Sequence, residues 1–250
     1  MAVAEIKELF EAGVHFGHRT QRWNPRMKPY IFEERHGIYL INLEETHRQL
    51  QEACEFLEKV ARRGEQVLFV GCKKPAQETI KEFAGQISCP YVADRWLGGT
   101  LTNLQTIRKS VKRLEFIENL NKSGEIEKYP KQEASVLRRE LSKLLRNLLG
   151  IRNMEKPPGA VVIIDTVREQ NAIAEAKRLG IPIVAIVDTN ADPTSVDYPI
   201  AGNDDAIRSI RILIQALTDA IAKGQNESGR KSNNKGKENQ AEASIEAISA

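Results

Sequence analysis

Ala160-Val-Val-Ile-Ile-Asp165, a helical stretch from Arg168 to Leu179 closed by Gly180, and then Ile183-Val-Ala-Ile-Val187 together decide the fold class. Each apolar run is about five residues long, too short for a helix and unbroken by polar positions. Strict alternation would mark a sheet with one wet face. Continuous β-branched runs instead mark strands covered on both faces, as in a parallel sheet. The amphipathic stretch between them is the crossover that parallel pairing needs. The pattern extends outward in both directions. Upstream lie Gln66-Val-Leu-Phe-Val70, a helix from about Ala76 to Ile87 with Pro75 in its first turn, and Tyr91-Val-Ala-Asp94. Downstream, Tyr198-Pro-Ile200 predicts a short fifth strand, and Asp204 to Ala222 a last helix. Leu43 to Arg63 predicts a long helix before the first strand, with Leu50, Cys54, Leu57 and Ala61 facing inward. The expected class is α/β, a doubly wound parallel sheet.

One segment interrupts this alternation. From Leu101 to Arg152, apolar residues recur in steps of three and four: Leu104, Ile107, Val111, Leu114, Ile117 and Leu120, then Leu137, Leu141, Leu144, Leu148 and Ile151. Such steps keep one narrow stripe on one helix face, the seam of a two-helix coiled coil. Gly124 and Pro130 mark the reversal between the arms, so the segment reads as an inserted antiparallel helical hairpin. It carries twelve Lys or Arg against six Glu, while the whole chain is only +3. Several of its cations come in pairs, Arg108-Lys109, Lys112-Arg113 and Arg138-Arg139, rather than alternating with acids. A polyanion is the expected partner, against the plainer reading of a solvated helical surface.

Before the α/β region, a short helix over residues 4–12 leads into an irregular arm from Val14 to Tyr30. The arm interleaves Arg19, Arg22, Arg26 and Lys28 with Phe16, Trp23 and Tyr30. Cations meet phosphates, and aromatic or His rings offer faces to unpaired bases. His15, His18 and Asn24 join the candidate RNA-binding set here, as do Arg95 and Asn103 in the run that leads into the hairpin. His36 to Asn42 predicts a further short strand. The expected organisation is residues 1–35 as N-terminal helix and basic arm, 36–100 and 153–223 as the α/β domain, 101–152 as the hairpin, and 224–250 as a disordered tail. The tail expectation rests on its Asn, Ser, Lys, Gly, Gln, Glu and Ala residues, which show no period.

Composition and motif spacing bound the function. At 250 residues and 41% apolar, the chain can bury a proper core. No apolar run approaches the ~20 residues of a membrane span, and the start has neither a signal nor a transit peptide's character. Cys54, Cys72 and Cys89, odd in number and widely spaced, read as reduced apolar residues of a cytosol-like compartment. His15 and His18 have no Cys pair or third His near them, so no metal site is expected. Gly71-Cys-Lys-Lys-Pro75 lacks the phosphate-loop spacing. Asp94, Asp165 and Asp188 each end a strand, where acids can hold Mg²⁺, yet the first strand ends without an acid and Asp188 sits in a turn-forming run. No catalytic triad or cofactor is expected. The alternatives are a protein-binding α/β scaffold that ignores RNA, or a nucleotide- or Mg-dependent enzyme.

Longer runs carry a family resemblance. Leu9-Phe-Glu-Ala-Gly-Val-His-Phe-Gly-His18 and Trp23-Asn-Pro-Arg-Met-Lys-Pro-Tyr-Ile-Phe32 resemble the opening signature of small-subunit ribosomal protein two, the bacterial and plastid type. Asp94-Arg-Trp-Leu-Gly-Gly-Thr-Leu-Thr-Asn103 is similar to that family's approach to its hairpin. Pro158-Gly-Ala-Val-Val-Ile-Ile-Asp-Thr166, with Glu169, Ala172, Glu175 and Gly180-Ile-Pro182, resembles its second signature. The likeness runs in order from Ala4 to Lys223; the tail after Gly224 matches nothing in it. It implies a flavodoxin-like three-layer sheet of strand order 2-1-3-4-5 carrying a coiled-coil hairpin. It also implies a structural role in the small ribosomal subunit, on 16S-type ribosomal RNA. The partners it implies are neighbouring small-subunit proteins, among them the large OB-domain protein that recruits messenger RNA. The location it implies is the cytoplasm, within the ribosome, or the plastid stroma for a plastid-encoded chain.

Overall fold

The strands form because their side chains have apolar ground to enter on both sides of the sheet. The computed structural model describes residues 4–248, with side chains through Ser228. In chain order it contains α1 (Ile6–Glu11), β1 (Phe16–Arg19), β2 (Ile31–Arg35), β3 (Ile38–Ile41), α2 (Leu43–Arg62), β4 (Val67–Val70), α3 (Lys74–Gln86), β5 (Tyr91–Val92), α4 (Leu104–Lys122), α5 (Lys131–Leu148), β6 (Ala160–Ile164), α6 (Gln170–Arg178), β7 (Ile183–Val187), β8 (Tyr198–Ala201) and α7 (Ile207–Ile248). Five strands pair in parallel in the order β5-β4-β6-β7-β8, which is 2-1-3-4-5 when that sheet's strands are counted along the chain.

Alternate strand residues enter different cores, as the two-residue pleat requires. Val67, Phe69, Val162, Ile164, Val184 and Ile186 face a layer built from α2, α3 and α7, represented by Leu50, Leu57, Ile80, Leu213 and Leu217. Leu68, Val70, Val161, Ile163, Ile183 and Ala185 face the other side, against Ala172 and Ile173 of α6. The same second core takes in Trp96, Leu101, Ile107, Val111, Leu114 and Ile117 from the first hairpin arm, and Leu141, Leu148 and Ile151 from the return. The hairpin seam is therefore continuous with one core of the sheet.

One sequence expectation changes, and two segments bear on the expected boundaries. The segment from Phe16 to Ile41, expected as an irregular arm followed by one strand, holds an antiparallel sheet of order β1-β3-β2. Because β3 pairs with both neighbours, the N-terminal unit crosses the expected boundary at residue 35. The strand β2 escapes notice in the sequence because it is almost wholly exposed and lacks a buried alternation. The segment beyond residue 224, expected to be a disordered tail, follows on in α7, whose described residues run to Ile248; residues 249–250 lie outside those described. Gly224 does not end the helix. It lets α7 cross closely over α2, since a Cβ there would meet the Glu58 carbonyl oxygen at 2.5 Å. Beyond it, Gln225 Nε2 donates to the Ile87 carbonyl at 3.2 Å, and Glu227 pairs with Arg62 at 2.8 Å.

Candidate nucleic-acid interface

The N-terminal unit is stitched across the carboxyl edge of the parallel sheet. Gly17 is the closest seam, where a Cβ would meet Thr189 Cγ2 at 2.5 Å. The His18 backbone N–H donates to Thr189 Oγ1 at 2.8 Å, and that of Asn24 to the Thr189 carbonyl at 2.7 Å. Asn24 Oδ1 accepts from the Arg26 N–H at 3.0 Å and so caps the turn over Pro25–Tyr30. Arg26 is held by Asp192 and by Thr194 Oγ1 at 3.2 Å. The Trp23 ring lies 5.1 Å from that of Tyr39 and is partly covered. His15 is buried between Phe10, stacked at 4.4 Å, and Phe16 at 4.1 Å, and burial lowers its pKa. At 9% exposure the His15 ring offers little surface to a partner. In this unit Arg19, Arg22 and Lys28 stand exposed, with no acid in salt-bridge reach among the described residues.

His18 serves a different purpose from the one its sequence neighbours indicate. Its Nδ1 lies 3.0 Å from Asp188 Oδ2 and its Nε2 3.4 Å from Asp205 Oδ2. Lys73 Nζ sits 2.6 Å from Asp204, 2.7 Å from Asp205 and 3.4 Å from Asp165. The hydrogen bond to Asp188 raises the His18 pKa despite partial burial. Burial opposes the charge on Lys73, but Asp204 and Asp205 outweigh it and raise its pKa. Asp204 is raised to about 7 by burial and by repulsion from Asp188 and Asp165, against the pull of Lys73. The folded chain thereby places His18 among acids that its sequence neighbourhood did not point to. Donor atoms of His18, Asp188, Asp204 and Asp205 all lie within 4.8 Å of one another, a set able to hold a divalent cation. Lys73 competes for the same acids. Asp188, read in the sequence as a loop former, is buried here. A partial signal existed, since Asp165 and Asp188 end neighbouring strands and Asp204-Asp205 follow the next one. Nothing local in the sequence assigned His18 to them.

At the root of the hairpin, one carboxylate orders a whole loop. Glu175 of α6 accepts from Trp96 Nε1 (2.9 Å), Gly99 N (2.8 Å), Leu101 N (3.0 Å), and both N and Oγ1 of Thr102 (3.0 Å each). Burial opposes its ionisation, yet these donors hold its pKa below the usual carboxylate value. This contact locks the run from Trp96 to Thr102, and with it the take-off of α4. Arg95 is exposed beside it. Asn103 precedes α4 but makes no side-chain cap.

Along the hairpin the predicted cations divide. Arg108 donates to the Arg152 carbonyl at 2.7 Å, Arg113 makes a forked pair with Glu140 at 3.0 Å, and Arg138 pairs with Glu127. Lys109, Lys112 and Arg139 are exposed, with no carboxylate in salt-bridge reach among the described residues. The cysteines offer no nucleophile: all three are free and buried, and burial pushes the Cys54 and Cys72 thiols up to about 12.

The fold thus presents exposed cations on the N-terminal unit and on the hairpin, and an inward-turned polar cluster at the carboxyl edge of the sheet. No described helix is long and apolar enough to cross a membrane. Residues 9–224 of the 250 match the family described as ribosomal protein S2. The match spans both sheets, the hairpin and most of the described helices, so the chain belongs to the ribosomal protein S2 family, structural constituents of the small ribosomal subunit.

Proposed function

We propose that this chain binds small-subunit ribosomal RNA through two surfaces held in fixed relation by a flavodoxin-like core and a coiled-coil hairpin. One surface is the N-terminal unit with Arg19, Arg22 and Lys28, joined by Arg95. The other is the hairpin with Lys109, Lys112 and Arg139. The carrying observation is that these cations lack acid partners among the described residues, whereas Arg26, Arg108, Arg113 and Arg138 are held internally. Unneutralised cations on rigid elements are what phosphate contact requires. The test is titration of the full chain with transcribed small-subunit ribosomal RNA across a salt series. Affinity should fall linearly with log salt, by ~0.7–0.9 per contacted phosphate. Absent or salt-independent binding would refute the reading.

A protein-docking role accompanies it. Phe16 is 49% and Phe32 70% exposed on the antiparallel sheet, and Phe16 lies two residues before His18 of the acidic cluster. Exposed rings beside charge favour a protein partner, and here the messenger-binding OB-domain protein of the small subunit is the proposed one. Phe32→Ala should weaken its retention on purified subunits while leaving RNA affinity unchanged.

A further inference from the structure

We propose that the hairpin also docks RNA along the outer flank of α5, with Arg139, Lys143 and Arg146 as phosphate contacts. The inference rests on the ribosomal RNA reading above and extends the hairpin's surface beyond Lys109 and Lys112 of α4. Ser135, Arg138, Arg139, Ser142, Lys143 and Arg146 line one open groove. Their spacing places them on one flank of the helix, while Leu137, Leu141, Leu144 and Leu148 pack toward the seam. From Ser135 to Arg146 the groove runs roughly 16 Å at ~1.5 Å per residue. At a rise of ~3.4 Å per phosphate along a strand, that length meets several phosphates.

The lining identifies the partner's chemistry. The described residues lining this groove are four basic and two hydroxyl-bearing side chains, whereas protein interfaces gather aliphatic and aromatic groups at their centre. The hairpin has such a patch elsewhere, where Phe116, Tyr129 and Val136 are exposed around the Arg113–Glu140 pair. The α5 groove instead offers forked guanidinium donors, an ammonium and the Ser135 hydroxyl, a set matched to phosphate oxygens. Three of its four cations are also available, Arg138 being held by Glu127. Lys143 has no carboxylate in salt-bridge reach among the described residues, Arg139 contacts only the Ser135 carbonyl at 3.4 Å, and Arg146 reaches Asp94 only at 4.0 Å. Lys143 and Arg146 stand alone in the sequence, so a search for paired basic residues passes over them. Winding α5 brings them beside Arg139.

Two triple variants of the full chain with equal net charge test this. Arg139→Gln/Lys143→Gln/Arg146→Gln empties the flank. Arg113→Gln/Lys122→Gln/Lys128→Gln removes as many charges from residues that pair with acids elsewhere on the hairpin. Both are first checked for wild-type melting and circular dichroism, then titrated with transcribed small-subunit ribosomal RNA from 0.05 to 0.3 M salt. The flank variant should lose about 10–100-fold in affinity, with a salt slope shallower by ~2–3, while the control stays within about twofold of wild type. Equal behaviour of the two variants overturns the proposal. So does wild-type RNA affinity of the flank variant together with loss of a small-subunit protein, which would make the flank a protein-docking face. Wild type failing to bind the RNA would instead remove the ribosomal RNA reading, and this inference with it.

Discussion

The carboxyl edge of the sheet and the outer flank of α5 are both dense in charge, but the charge is used in opposite ways. At the sheet edge, Lys73 and His18 are surrounded by Asp165, Asp188, Asp204 and Asp205, and contacts of 2.6 to 3.4 Å turn them inward. On α5, Arg139 and Lys143 face solvent with no acid in reach among the described residues. Net charge alone would mark both regions as binding sites. At the first, Lys73 pairs within the domain and His18 ties the N-terminal unit to it; at the second, Arg139 and Lys143 have no acid in salt-bridge reach among the described residues. Variants at the edge should therefore change stability and spare RNA affinity, and variants on α5 should do the reverse.

The largest expected effect breaks the edge. Lys73→Met leaves buried carboxylates without their cation and should cost about 3 kcal/mol at pH 8, lowering the melting temperature by roughly 6–12 °C. The loss should shrink at pH 6, where Asp204 takes a proton. RNA affinity measured below the melting temperature should stay within about twofold of wild type; a large loss would show that the edge itself meets RNA.

Next comes the hairpin root. Glu175→Ala strands the donors of Trp96, Gly99, Leu101 and Thr102 and should cost about 2 kcal/mol. Hydrogen exchange should accelerate from Trp96 to Thr102 while β6 and β7 remain protected. Unchanged exchange there would mean that the apolar contacts of Trp96 and Leu101 hold the hairpin without the carboxylate.

A smaller effect concerns pH. His18 has a raised folded-state pKa, so its contribution is complete below its ordinary value and is lost as pH rises through the folded one. Asp204, raised to about 7, also binds its proton more tightly when folded and loses stability as pH climbs from about 4 to 7. Both signs agree: the melting temperature should fall from pH 6 to pH 8. Asp204→Asn should flatten the profile, and a profile that rises with pH would contradict the cluster's assigned protonation. The smallest effect is expected from Arg26→Ala, whose exposed pair with Asp192 should shift melting by no more than a few degrees and leave the salt slope of RNA binding intact.

The parallel strands and their covering helices are legible in the sequence because each is a local pattern. Ala160–Ile164 and Ile183–Val187 are apolar throughout and buried throughout. The antiparallel sheet is harder to see, because Glu33-Glu34-Arg35 face water on β2 and give no alternation. Among the candidate RNA residues, Arg19, Arg22, Lys28, Arg95, Lys109, Lys112 and Arg139 have no acid in salt-bridge reach among the described residues. His15, His18, Asn24 and Arg26 are taken up by packing, by acids or by capping. Their fate depended on Phe10, Asp188, Thr189 and Asp192, most of them far along the chain.

By itself the amino-acid sequence determined the layered α/β architecture, the inserted hairpin and the hairpin's excess of positive charge. Periodicity and composition are local properties that survive without coordinates. Only the tertiary structure decided which cations are neutralised and which remain available. Ion pairing acts over a few ångströms, and the loops that bring Lys73 to Asp204, His18 to Asp188 and Glu175 to the hairpin root close over long stretches of chain.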